Sequence, residues 1–124
     1  MLLHGGMDQG FARVGLSEKE AKAQGISYRL FKVPMGAVLR THALLETRGF
    51  LKALVGTDND RILGITVFGV GAGEIMSSAQ IAMIAGLPYT ALRDAILAHP
   101  TLIEGLNMLF ESAPSLAKTA KANN

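Results

Sequence analysis

The sequence predicts an α+β fold, an antiparallel sheet with helices packed mainly on one side, and three observations predict it. Two β-rich runs, "GFLKALV" and "RILGITVFGV", flank the turn-forming "GTDND" and read as a hairpin. A third run, "ISYRLFKV", alternates with the period of a strand until Pro34 ends it. Helical signals precede and follow these runs instead of alternating with them, so the expected order is helix, three strands, three helices.

Each element has a local cause. In "LSEKEAKAQG", Ser17 with Glu20 three residues on forms a capping box, and Gly25 supplies a left-handed stop, predicting a helix over Glu18 to Gln24. Between Met35 and Thr47 no period dominates, and the segment reads either as an irregular connection or as a bent strand. Both faces of the hairpin are partly apolar, which suits a central position under helices. After Gly73, "EIMSSAQIAMIAG" predicts a helix with hardly any polar face, stopped at Gly86. Such a helix is expected to be buried all round, in part by a second subunit. "PYTALRDAILA" starts another helix at Pro88, where a missing N–H costs little; Leu92, Ile96 and Leu97 are expected to pack, with Arg93 and Asp94 outward. "TLIEGLNMLFES" opens the last helix.

A chain of 124 residues makes one domain, too short for a nucleotide domain and a substrate domain together. Apolar residues make up 49% of it, more than a small soluble domain needs, so part of the surplus is expected to face a partner. The net charge of +2 is spread along the chain and leaves no footprint for nucleic acid. Zero cysteines exclude a disulfide, a thiolate zinc site or a cysteine nucleophile carried by this chain. "MLLHGGMDQG" lacks the pattern of a signal peptide, and the apolar stretch from Ile75 to Leu87 is far short of the roughly 20 residues that span a bilayer. A cytoplasmic location without membrane contact is expected. Residues 1–10 and the polar 113–124 are expected to be frayed, with the domain over 11–112.

Among candidate sites, "VFGVGAGE" places Gly69, Gly71 and Gly73 between a strand and a helix, as a dinucleotide loop would. The last position of that pattern is Glu74, whose charge competes with phosphate for the helix end, so a strand-to-helix turn is the better reading. Three widely spaced histidines without an H-x-x-x-H pair argue against a metal site, and His4 and His42 have no evident role. His99 differs. The following proline biases it away from helical backbone, so its ring should project from a junction. Glu104 has two open readings: partner of Thr101 in a T-x-x-E capping box, or partner of His99 in an acid/base pair.

Several blocks carry a resemblance in combination: V-G-L-[ST]-E at Val14–Glu18, G-F-x-K at Gly49–Lys52, I-L-G at Ile62–Gly64, G-x-x-A-x-E at Gly69–Glu74 and H-P-T-x-x-E at His99–Glu104. Over about residues 11 to 112 the chain resembles the C-terminal dimerisation domain of the flavin-dependent pyridine nucleotide-disulfide oxidoreductases, the group of glutathione reductase, lipoamide dehydrogenase and mercuric reductase. The resemblance implies a homodimer in which His99 acts as acid/base toward the partner subunit's flavin and redox dithiol. It further implies that Glu104 orients His99 and that Pro100 shapes the loop beside the flavin. It implies FAD and NAD(P)H as cofactors of the full-length enzyme, held by domains absent from these 124 residues and supplied in cis or in trans. This chain alone is then expected to bind neither and to turn nothing over. A free-standing dimerisation or partner-binding module without a catalytic role is the alternative.

Overall fold

A computed structural model of the chain describes residues 2–5, 10–45 and 47–117. Its centre is a six-stranded sheet in the order β1-β2-β5-β4-β3-β6, in which every neighbouring pair is antiparallel. The predicted hairpin is β4 (Gly49–Gly56) and β5 (Ile62–Gly69), and it takes the middle of the sheet. β3 (Tyr28–Pro34) lies against β4, with Phe31 opposite Ala53 and Val33 opposite Leu51. The strand period puts Phe31, Val33, Leu51, Ala53, Val55, Ile65 and Val67 on one face, all in a single buried cluster.

Three helices cover that face. α3 (Ala72–Ile84) buries Ala72, Ile75, Met76, Ala79 and Ala82, a stripe at helical spacing. α4 (Tyr89–Asp94) contributes Leu92, and α5 (Gly105–Glu111) contributes Leu106, Leu109 and Phe110. Phe110 meets Phe31 edge-on with ring centroids 5.4 Å apart, and Tyr89 leans on both rings. On the opposite face, among the described residues, lies α1 (Glu18–Ala23), packed through Ala21 on Tyr28 and Leu54. Its capping box is formed as expected: the Glu20 N–H donates to Ser17 Oγ at 3.1 Å and the Ser17 N–H to Glu20 Oε1 at 2.9 Å.

The structure corrects several expectations. Two strands precede α1, β1 (Leu2–Gly5) and β2 (Gly10–Gly15), so part of the supposedly frayed start is paired. β2 has short alternation between glycines and owes its place to β5, where Ala12 faces Val67 and Val14 faces Ile65. β6 (Ser115–Ala117) pairs with β3 inside the segment expected to be a loose tail; Met1, residues 6–9 and the "KTAKANN" end lie outside the described residues. The ambiguous stretch is neither loop nor strand throughout: a 3-10 turn at Met35–Ala37 leads into α2 (Leu39–Ala43). There the buried Thr41 hydroxyl donates to the Val38 carbonyl at 2.7 Å, closing the bend.

α3, expected to need a second subunit for part of its cover, leaves Ile81 69% and Ile84 79% exposed on its outer side within the chain. Two corrections concern the other helices. α4 stops at Asp94, and Ile96, expected to pack, is fully exposed. α5 begins at Gly105, later than a capping box at Thr101 would place it. No helix among the described residues is long and apolar enough to cross a membrane.

Candidate functional site

Between α4 and α5 the chain leaves helical geometry at Ala95, runs to a cis His99–Pro100 bond, and turns through Thr101–Glu104. The turn is clamped by one carboxylate. Glu104 Oε1 accepts the Thr101 backbone N–H at 2.8 Å, and His99 Nδ1 stands 3.0 and 2.9 Å from the two Glu104 oxygens. The same carboxylate thus meets both the Thr101 N–H and the His99 ring. The box is half made, because the Thr101 hydroxyl donates to the Ala98 carbonyl at 2.7 Å instead of accepting from the start of α5. The Thr101 N–H is the main reason the Glu104 carboxyl lies below the ordinary carboxylate range. Desolvation opposes it, and the His99 ring adds a further hydrogen bond and charge in the same direction.

An ionised carboxylate only accepts, so the His99 ring donates from Nδ1, and Nε2 is the nitrogen on the side of the ring away from Glu104. The His99 side chain is 63% exposed, whereas Glu104 is 21% exposed. The pair therefore consists of a half-sunk anchor and an outward ring.

The glycine-bearing turn supports this junction. Gly71, at φ +70, precedes α3, and the place a Cβ would occupy is taken by the Leu102 side chain from the His99 turn. A phosphate could not approach that helix end without displacing Leu102, which upholds the plain strand-to-helix reading. On one flank of the turn Pro100, Thr101, Leu102 and Ile103 line a hollow of about 470 Å³ with Arg40 and Glu74. On the other flank lies a hollow of about 420 Å³ bordered by Arg93, Asp94, Ala95, Glu104, Asn107 and Glu111. Within it the Arg93 guanidinium grips Asp94 at 2.8 and 3.0 Å and holds that carboxyl below its ordinary range.

Sequence reasoning passed over Asn107, whose side-chain amide reaches back to the carbonyls of Leu92, Arg93 and Ala95 at 2.8, 3.2 and 2.9 Å. The available signal was an asparagine inside a helical run, a residue whose short amide competes for backbone partners. The other histidines stay apart. His42 Nε2 lies 2.8 Å from the Gly36 carbonyl, a structural bond, and His4 falls in β1 with its side chain outside the described residues. Among the described residues no group of three His, Asp or Glu side chains could hold a metal ion.

Comparison with known proteins shows the family. The family model described as the pyridine nucleotide-disulphide oxidoreductase dimerisation domain matches residues 7–110. The probable pyridine nucleotide-disulfide oxidoreductase RclA of Escherichia coli is 38% identical over 99 residues, 80% of this chain and 22% of that protein. The mitochondrial dihydrolipoyl dehydrogenase of Sus scrofa is 36% identical over 113 residues, 91% of this chain and 21% of that one. The solved structure of the HOCl-induced flavoprotein disulfide reductase RclA from Escherichia coli superposes with a TM-score of 0.79 at 37% identity, covering 82% of this chain and 23% of that chain. LpdA from Mycobacterium tuberculosis shares the fold, with a TM-score of 0.75 at 18% identity over 82% of this chain and 22% of that chain. The chain spans about a fifth of the length of the curated relatives it matches. With the family model matched over residues 7–110, the chain belongs to the dimerisation domain family of the pyridine nucleotide-disulfide oxidoreductases.

Proposed function

We propose that this domain forms its half of a homodimer interface in a flavin-dependent disulfide oxidoreductase and lends the His99–Glu104 pair to the partner subunit's dithiol. The observation that carries the reading is the tethered but outward His99 ring. Glu104 holds Nδ1, and Nε2 faces out on a side chain 63% exposed. Such a ring can take a proton from a thiol at Nε2 and return it, while the carboxylate stabilises the imidazolium in between. The thiols must come from elsewhere, since the chain has no cysteine.

FAD, when bound by the other domains, supplies the two-electron redox chemistry, fed by NAD(P)H. The residues present fit one edge of such a site: His99 and Pro100 are both exposed at the tip of the turn and could lie beside a flavin held by another subunit. What this chain does there is hold a ring nitrogen in one orientation and move a proton at it. No turnover is proposed for the chain by itself.

A second reading, a homodimerisation module without catalysis, draws on the uncovered outer row of α3 and its stop, Ile81, Ile84 and Leu87. One experiment tests what the two readings share, and a second separates them. Light scattering with an absorbance spectrum on the purified chain should show a colourless dimer under either. In the full-length enzyme, or in this chain joined to the FAD and NAD(P)H domains of a relative, His99→Gln should cut thiol reduction by roughly 100-fold or more. An unchanged rate would remove the catalytic reading and leave the module.

A further inference from the structure

We infer that Asn107 is a positioning residue for His99: its side-chain amide ends α4 and thereby sets the imidazole opposite Glu104. The catalytic consequence rests on the acid/base reading above; the geometric content does not. Helices α1, α2, α3 and α5 each close their last turn with a backbone N–H, from Gln24, Leu44, Ala85 and Ser112. At the end of α4, Ala95 is instead extended, with ψ 139°, and the carbonyls of the last turn are met by Asn107 from the following helix. An asparagine amide has two hydrogens, so the 2.8 and 2.9 Å bonds to Leu92 and Ala95 take one each and the 3.2 Å contact to Arg93 is shared.

The choice of carbonyls is what makes the bond a stop signal. In a continuing helix Leu92, Arg93 and Ala95 would accept from the N–H groups of Ile96, Leu97 and His99, their i+4 partners. Asn107 occupies all three. Nothing in the local sequence would otherwise end the helix there, since Ala95, Ile96, Leu97 and Ala98 include no breaker and the proline comes only at position 100. Ile96 adds no packing to hold the arm down, since it is fully exposed.

The consequence for His99 is one of reach. Four residues advance about 6 Å as helix but up to about 13 Å when extended. A helical Ala95–Ala98 would leave the ring short of Glu104 and turned about the axis. Asn107 lies three residues beyond Glu104, so the two line the same 420 Å³ hollow. One side chain pins the arm at its start, and the other receives the ring at its end.

The test uses the 124-residue chain with Asn107→Leu, close in size but without donors, and reads the His99 ring by two-bond ¹H–¹⁵N correlation. The Nδ1–H form should fall by roughly half or more in favour of the usual Nε2–H tautomer, and the Ile96 and Leu97 amides should take helical shifts. The methyls of Leu106 and Leu109 should stay where they are, because a residue that merely held the fold would move those too. An unchanged His99 tautomer in the folded variant overturns the proposal. Should Asn107→Leu fail to fold, Asn107→Ser, with a single donor, is read instead; if both lose the dispersed methyl spectrum, Asn107 is a folding residue and the inference is wrong. No turnover is measured, so a failure here is distinct from a failure of the acid/base reading.

Discussion

The Thr101 backbone N–H donates to Glu104 at 2.8 Å through the same carboxylate that receives the His99 ring. The bond stabilises the charged form of Glu104, so its folded pKa lies below the ordinary 4.5. A depressed carboxyl contributes stability that is present above the unfolded value and is lost as pH falls through the folded one. The clamp on His99 should therefore hold at neutral pH and open only below 4.5, seen as an upfield move of the Thr101 amide in an NMR titration. Glu104→Gln should abolish that titration, and a Thr101 amide that still titrates in the variant would contradict the assignment.

Tyr28 should resist ionisation. Burial first, and then the hydrogen bond its hydroxyl donates to Glu18 at 2.8 Å together with that carboxylate's charge, push the phenol from 10.0 up to about 12. A raised phenol favours the fold below its unfolded pKa and ceases to do so as pH climbs through the folded value, so alkaline destabilisation is expected between 10 and about 12. An alkaline titration followed by tyrosinate absorbance should show a late component that Tyr28→Phe removes.

Gly71→Ala should destabilise by about 1–3 kcal/mol, since the backbone is left-handed there and the new methyl meets Leu102. Pairing it with Leu102→Ala should recover the steric part but not the backbone part. Thermal unfolding of the two variants measures the split. Full recovery would show that φ +70 is no burden at this position.

Leu51 is fully buried in the central strand, beneath the glycine that opens α5. Leu51→Ala should cost about 2–5 kcal/mol in urea unfolding. Ser17→Ala, which removes one bond of the α1 capping box, should cost about 0.5–2 kcal/mol. A reversed ranking would mean that the small face under α1, and not the main cluster, governs stability.

What could be read from the sequence was whatever had a local cause. The α1 box, the β4–β5 hairpin and the Gly86 stop each depend on residues within a few positions of one another. β2 is different, because Ala12 and Val14 become a strand only beside Val67 and Ile65, more than fifty residues away. The end of α4 escaped for the same reason: its carbonyls are met by Asn107, which lies 12 to 15 residues on. At the site, the H-P-T-x-x-E motif brought His99 and Glu104 forward, and the two are in contact. The half-formed box could not be foreseen, since a motif does not say which way the Thr101 hydroxyl will turn.

Among the described residues the sheet's outermost strands are its shortest, four residues in β1 and three in β6, while the eight-residue β4 and β5 are enclosed between neighbours. A stray extended segment thus finds only a few rungs on either margin, and the greasiest strands offer none. Growth by strand addition, the ordinary route from a β-rich domain to fibrils, is denied a foothold.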